Sequence, residues 1–202
     1  MYRYLFILLF LFANANAYKA GFSKDYYDIH DTKAKKAAFI KILLPKIINA
    51  QDQILSDRAF IKIFFKKFLF TYSYLSRKDI IRLINLSKKY RVKQMYNENE
   101  YLEKIDTIPV ALVLAQAAVE SAWGGSRFVR EGNNLFGEWT WGKKGIIPAG
   151  RDENAKHKIR IFESLDDSIA RYMLNLNRHY SYKEFRQLRA QNRISGKHFS
   201  GL

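Results

Sequence analysis

Cysteine is absent from the 202-residue chain. Its absence excludes disulfide staples, a thiol nucleophile, thiolate metal ligands and a lipid-modified N-terminal cysteine, so the fold must rest on packing alone. Histidine is scarce too. His30, His157, His179 and His198 are scattered without ligand spacing, so neither a metal centre nor another cofactor is expected. No Gly-x-Ser-x-Gly turn is present, which removes the nucleophile elbow of a serine hydrolase. No internal repeat or low-complexity tract interrupts the sequence, and its length suits one domain, or one domain with an appended helical lobe.

Acidic residues are the minority: 19 Asp and Glu stand against 35 Lys and Arg, a formal charge of +16. Such an imbalance suits a polyanionic partner. The N-terminus narrows which one. Met1-Tyr2-Arg3 is a short positive head, Leu5 to Phe12 is an apolar run, and Ala15-Asn16-Ala17 is a small-x-small cleavage site. Residues 1–17 are therefore expected to be a secretory signal removed before Tyr18, since the run falls short of the roughly 20 apolar residues that span a bilayer. Export to the periplasm or cell envelope argues against nucleic acid. It favours anionic envelope polymers or lipid head groups, with a peripheral association with the envelope.

Tyr18 to Thr32 has no period and reads as an arm laid over the surface. From Lys33 the pattern turns helical, with Phe39, Leu43 and Ile47 on one stripe and Pro45 expected to kink or break the helix. Ala59 to Phe70 reads as a further amphipathic helix, better explained by core packing than by a membrane surface. Ser76-Arg77-Lys78-Asp79 resembles a capping box opening a helix through Ile80, Leu83 and Leu86, and Asn97 to Lys104 is an acidic connector or short helix. This front part, residues 18–104, carries no chemical motif. The catalytic part is expected to span 105–202.

The most apolar segment outside the N-terminus runs from Pro109 to Gly125. Val110, Val113, Leu114, Ala117 and Ala118 have helix spacing, Pro109 suits a helix start, and Gly124-Gly125 are expected to stop it. Its last turn carries one carboxylate, Glu120, on the stripe of Val113 and Ala117. A carboxyl half-withdrawn at the rim of a core has its charged form disfavoured, and a protonated carboxyl can serve as general acid. A structural ion pair with one of the many Arg or Lys residues is the competing reading.

Beyond this helix, Arg130 to Gly137 is a loop. Glu138 to Trp141 reads as a strand, Ile146-Ile147 as its short partner, and Lys158 to Phe162 as another strand. Ser164 caps a helix through about Asn177, and Tyr182 to Arg189 is a last short helix. The class is α+β, mainly helical with a small antiparallel β-hairpin or sheet lobe. Asp152 and Glu153 lie on a loop of that lobe. A carboxyl at a helix end facing a second on a β-loop is a glycosidic-cleavage arrangement: one protonates the departing sugar oxygen, the other activates water or steadies oxocarbenium charge. Trp139 and Trp141 offer flat faces for sugar rings, and Asn134 offers an amide to hydroxyl or N-acetyl groups.

Ala115-Gln116-Ala117-Ala118-Val119-Glu120-Ser121-Ala122-Trp123-Gly124, followed by Asn134-Leu135-Phe136-Gly137, resembles the glucosaminidase family of peptidoglycan hydrolases. The longer run from Ser126 to Trp139, with Ile161-Phe162, Asn175-Leu176-Asn177 and Leu43-Leu44-Pro45, looks like its Bax-type branch. The resemblance covers nearly all of residues 18–202. It implies a lysozyme-like fold, peptidoglycan glycan strands as substrate, and hydrolysis of the β-1,4 bond on the reducing side of N-acetylglucosamine. Glu120 stands where the family's general acid stands. The second acidic residue falls in the β-lobe, with Glu153 the first choice, Asp152 the second and Glu138 the third; the substrate's own N-acetyl group is the alternative nucleophile. The family's tyrosine corresponds to Tyr182, with Tyr180 close by, and Tyr172, Phe136 and Gly137 belong to the same cleft. A lytic transglycosylase of related fold and an inactive wall-binding protein remain as alternatives. Bax-type chains generally continue past Gly201-Leu202 into further helix, a point of departure here.

Overall fold

The computed structural model describes residues 20–70, 75–152 and 154–200. The expected signal at 1–17 and the candidate carboxylate Glu153 lie outside them. The fold is α+β, lysozyme-like in class: helices α1 (Lys24–Tyr27), α2 (Thr32–Phe70), α3 (Arg77–Tyr90), α4 (Glu98–Lys104), α5 (Val110–Glu120) and α6 (Arg127–Gly132) precede strands β1 (Trp139–Thr140) and β2 (Lys158–Ile159). Helix α7 (Leu165–Arg178), a 3-10 turn at Tyr180–Tyr182 and α8 (Lys183–Ile194) complete the chain.

Helix α2 is the backbone of the molecule. It packs against α4, α5 and α7, burying Phe39, Leu43, Ile47, Ile54, Ile61 and Phe64 on one side. Into the same core α5 sends Val113 and Ala117, and α7 sends Ile169, Met173 and Leu176, so one hydrophobic cluster runs through front and back parts alike. Of the kink or break expected at Pro45, the break does not occur, since α2 runs through it. A proline sacrifices one backbone hydrogen bond, and here residues on both sides of it, Leu43 and Ile47, are fully buried and hold the helix together. The stretch from Lys33 and the stretch from Ala59 are therefore one helix of 39 residues.

The caps follow the sequence closely. Ser76 and Asp79 form a reciprocal capping box on α3, and Ser164 accepts from the Asp167 amide at the start of α7. The N-terminal arm is more ordered than its composition suggests. Phe22 and Tyr26 are buried and stacked with ring centroids 4.3 Å apart, and Ser23 caps the single turn of α1.

In the β-lobe, β1 pairs antiparallel with β2, Trp139 opposite Ile159 and Thr140 opposite Lys158. Ile146-Ile147 is not the partner strand expected; Ile146 makes only an isolated bridge to Ile159. Gly145 explains how that bridge fits: a Cβ there would meet Ile159 O at 2.9 Å.

One buried carboxylate ties the helices together. Asp106, 1% exposed, receives Arg193 Nε at 2.6 Å and a second, shorter bond from Arg193 Nη2, while Arg58 Nη1 of α2 lies 3.6 Å away and Arg189 Nε 4.0 Å. Its own carbonyl accepts from Asn177 of α7 at 2.9 Å and from Arg189 at 3.2 Å. Beside it, Arg58 donates to the carbonyls of Leu102 and Ile105, and Gln51 accepts from the Ile108 amide at 3.1 Å and returns a bond to the Ile108 carbonyl. These contacts pin the segment that launches α5. Replacing Asp106 with alanine leaves three guanidiniums uncompensated, and we expect a loss of about 3–5 kcal/mol in a urea titration, with Asp106→Asn recovering only part of it.

Candidate active site

Helix α5 ends at Glu120, earlier than Gly124-Gly125 suggest. Ser121 closes the helix: fully buried, its hydroxyl donates to Ala117 O at 2.5 Å and accepts from Gly124 N at 2.8 Å. Ala122, Trp123 and Gly124 then follow in left-handed backbone, with φ of +49°, +55° and +75°. Two consecutive non-glycine residues in that region are strained. Surrounding contacts hold them there. Tyr26 donates to Trp123 O at 2.5 Å, the Trp123 ring meets Phe39 edge-on at 5.4 Å, and a Cβ on Gly124 would strike Phe22 at 2.4 Å. The reversal follows directly on Glu120, the last residue of α5.

That carboxyl opens on a cleft of about 190 Å³ between α5, the β-lobe and α7. Gln116 and Glu120 form one wall, Phe136 and Glu138 another, with Tyr172 and Asn175 of α7 opposite and Tyr182 at the rim. Phe136 lies flat on Tyr172, ring centroids 4.0 Å apart and planes within 6°. Glu120 is exposed, not half-withdrawn as the apolar pattern of its helix led us to expect: Val113 and Ala117 on its stripe are buried, but Glu120 is the last residue of α5, where that stripe leaves the core and meets the cleft. It forms no ion pair among the described residues. Burial, reinforced by Tyr182 and Glu120, pushes the Tyr172 phenol up to about 12, so its hydroxyl remains a donor throughout the neutral range.

The carboxylate brought to the cleft beside Glu120 is Glu138. It is not free. Arg171 Nε of α7 donates to both of its oxygens, at 2.9 and 3.2 Å, and Arg160 Nε lies 2.9 Å from Oε1 as an ion pair without hydrogen-bond alignment. Asp152 stays away from the cleft, exposed and accepting from the Asn154 amide at 2.8 Å. Trp139 and Trp141 are 51% and 72% exposed and stand outside the cleft lining, Trp139 stacked on His157 at 4.4 Å. Tyr180, 80% exposed, also lies outside it.

Asn134 corrects the sequence reading most sharply. It is 1% exposed and spends its amide internally: Nδ2 donates to Glu138 O and Arg160 O, both at 2.9 Å, and Oδ1 accepts from Glu138 N at 3.0 Å. Nothing is left for a sugar. Its work is to clamp the two strand ends, with Gly137 (φ +65°) making the turn that presents Glu138. The unassigned amides in the cleft are Gln116 and Asn175. Gln116 was legible in principle, one helical turn before Glu120 on the same face; Arg171 and Asn175 sit on α7 with no motif to mark them. A cavity of about 680 Å³ lies by Val110, Arg189, Arg193 and Lys197, and none of the predicted site residues lines it.

Residues 96–198 match the glucosaminidase family model, described as mannosyl-glycoprotein endo-beta-N-acetylglucosaminidase. The chain is 34% identical over 167 residues to Protein bax of Escherichia coli (strain K12), a match covering 79% of this chain and 57% of that protein, so it spans little more than half of that relative's length. No solved structure gives a significant match.

Two measurements follow from this geometry. Asn134→Ala is expected to cost about 1–3 kcal/mol in thermal unfolding and to speed hydrogen exchange at Thr140 and Ile159, an outcome that a surface ligand-binding amide would not produce. Tyr172 has a folded pKa raised above its ordinary 10 to about 12, so the stability its burial supplies is intact below pH 10 and is lost as pH rises through 12. Ultraviolet titration of the native protein should show a late-ionising phenol that Tyr172→Phe removes.

Proposed function

Because the chain belongs to the glucosaminidase family, a family of glycosidase-like enzymes, we propose that it is a peptidoglycan hydrolase cutting the β-1,4 bond on the reducing side of N-acetylglucosamine, with Glu120 as proton donor. The observation that carries the reading is a carboxyl at the end of α5, without an ion pair among the described residues, opening on a cleft lined by the stacked Phe136 and Tyr172 rings and the amides of Gln116 and Asn175. A sugar seated there displaces water from that carboxyl, and desolvation favours the uncharged acid. Glu120 then passes its proton to the departing glycosidic oxygen as the bond to the anomeric carbon breaks.

Glu138 is poorly placed to take a proton from water, since Arg171 occupies both of its oxygens. Its role in this reading is to fix the β-lobe against α7 and to lay negative charge beside the developing oxocarbenium. The substrate's acetamido oxygen is the nucleophile that fits the arrangement: it closes on the anomeric carbon, and water activated by the now-ionised Glu120 reopens the ring. Tyr172 and Tyr182 supply hydroxyl donors at the rim. Gln116 and Asn175, each with a donor and an acceptor, take the amide-reading role that Asn134 does not. In this reading residues 1–17 are a removed signal, the protein works in the periplasm or envelope, and its +16 charge draws it to anionic wall.

Purified peptidoglycan tests this directly. The native protein should release soluble muropeptides with N-acetylglucosamine at the new reducing end by mass spectrometry. Glu120→Gln should lower the rate by about 10²–10⁴-fold with an unchanged melting temperature. Anhydro-muramyl ends would indicate a lytic transglycosylase, and equal digestion by both proteins would remove Glu120 from its role.

A further inference from the structure

We propose that the outward face of α2 seats the protein on a bilayer surface containing anionic lipid, independently of the chemistry in the cleft. A globular helix ordinarily has one apolar stripe and turns the other side to water. Helix α2 carries apolar residues beyond its buried row. Ile40, Leu44, Ile48, Leu55 and Ile63 stand 39–55% exposed, each next in sequence to a buried residue and so about 100° round the helix from the core, on a solvent-facing flank. Exposed apolar surface of this extent on a protein with a complete core marks an interaction site.

Charge selects the occupant. Lys33 and Lys41 stand at one end of the stripe and Lys62 and Lys66 at the other, all exposed and none in an ion pair among the described residues. Asp52 is the one carboxylate along this outer face. A second copy would bring two lysine-edged faces together on chains of +16 each, which is repulsive. The anchoring side chains of a protein partner fill pockets, and the stripe lines neither the cleft nor the cavity beside Val110. A lipid surface needs no groove. Aliphatic tips enter the headgroup boundary, lysine stems lie along it, and ammonium groups meet lipid phosphate. No helix among the described residues is long and apolar enough to cross a membrane, so α2, about 58 Å long at the helical rise, would lie flat.

Vesicle co-sedimentation tests it, comparing phosphatidylcholine alone with phosphatidylcholine mixed with phosphatidylglycerol. The native protein should pellet with the mixed vesicles and not with the neutral ones, and added salt should release it. Ile48→Gln with Ile63→Gln, and separately Lys41→Gln with Lys62→Gln, should each weaken binding about tenfold at unchanged melting temperature; should the first pair melt early, Leu55→Gln alone carries the comparison. No pelleting of the native protein overturns the proposal, as does equal pelleting of native and variant proteins. A native dimer that Ile48→Gln with Ile63→Gln splits also overturns it and assigns the face to a second copy. Retained wall digestion by both pairs would keep this result separate from the fate of the glucosaminidase reading.

Discussion

The molecule depends on a single buried anion surrounded by an excess of cations. Asp106 lies where the lead into α5 passes between α2, α7 and α8, and it gathers Arg58, Arg189 and Arg193 around itself. Burying charge is costly, and such clusters are better at specifying one arrangement than at adding stability. Here the cost is visible in Arg189, whose burial lowers its pKa to about 10 despite the neighbouring carboxylate. In return the start of α5 is fixed in depth and direction, and with it the wall of the cleft one helix length away.

At the cleft, two carboxylates have opposite fates. Glu120 sits at the end of a helix with no cation among the described residues near enough to pair, in a protein where cations outnumber anions almost two to one. Glu138 is taken by two guanidiniums from different elements, which converts a titratable group into a strut between the β-lobe and α7. An arrangement with one acid free and the other committed leaves a single side chain to move protons, and it is the substrate's acetamido group that completes the chemistry in our reading.

Local signals were legible, and long-range ones were not. Helical periodicity and capping residues such as Ser76 and Ser164 act within a few positions, so α3, α5 and α7 could be read directly. Glu120 was found because its helix is otherwise apolar. Its exposure was misjudged because periodicity finds the covered face, here that of Val113 and Ala117, but not where along it the core ends. Asn134 looked like a free amide because its partners, Glu138 O and Arg160 O, are brought to it only by folding. The pairing of Glu138 with Arg171, 33 residues apart, leaves no mark in the sequence. Pro45 was overruled by burial on either side of it, a tertiary effect that local rules do not contain.

The β-lobe has strands of only two residues, and its base is held by Asn134 and the Arg171 contact more than by any backbone ladder. Beyond the Ile146 bridge to Ile159 and the bond from Arg127 to the Ile147 carbonyl, the tip from Pro148 to Asp152 hangs from that base. Such a tip is a detachable part: its length and composition can drift, lengthening or trimming the reach over a polymer, while the reacting centre beneath keeps its shape. Diversity among enzymes built this way should accumulate at the tip and stop abruptly at the asparagine.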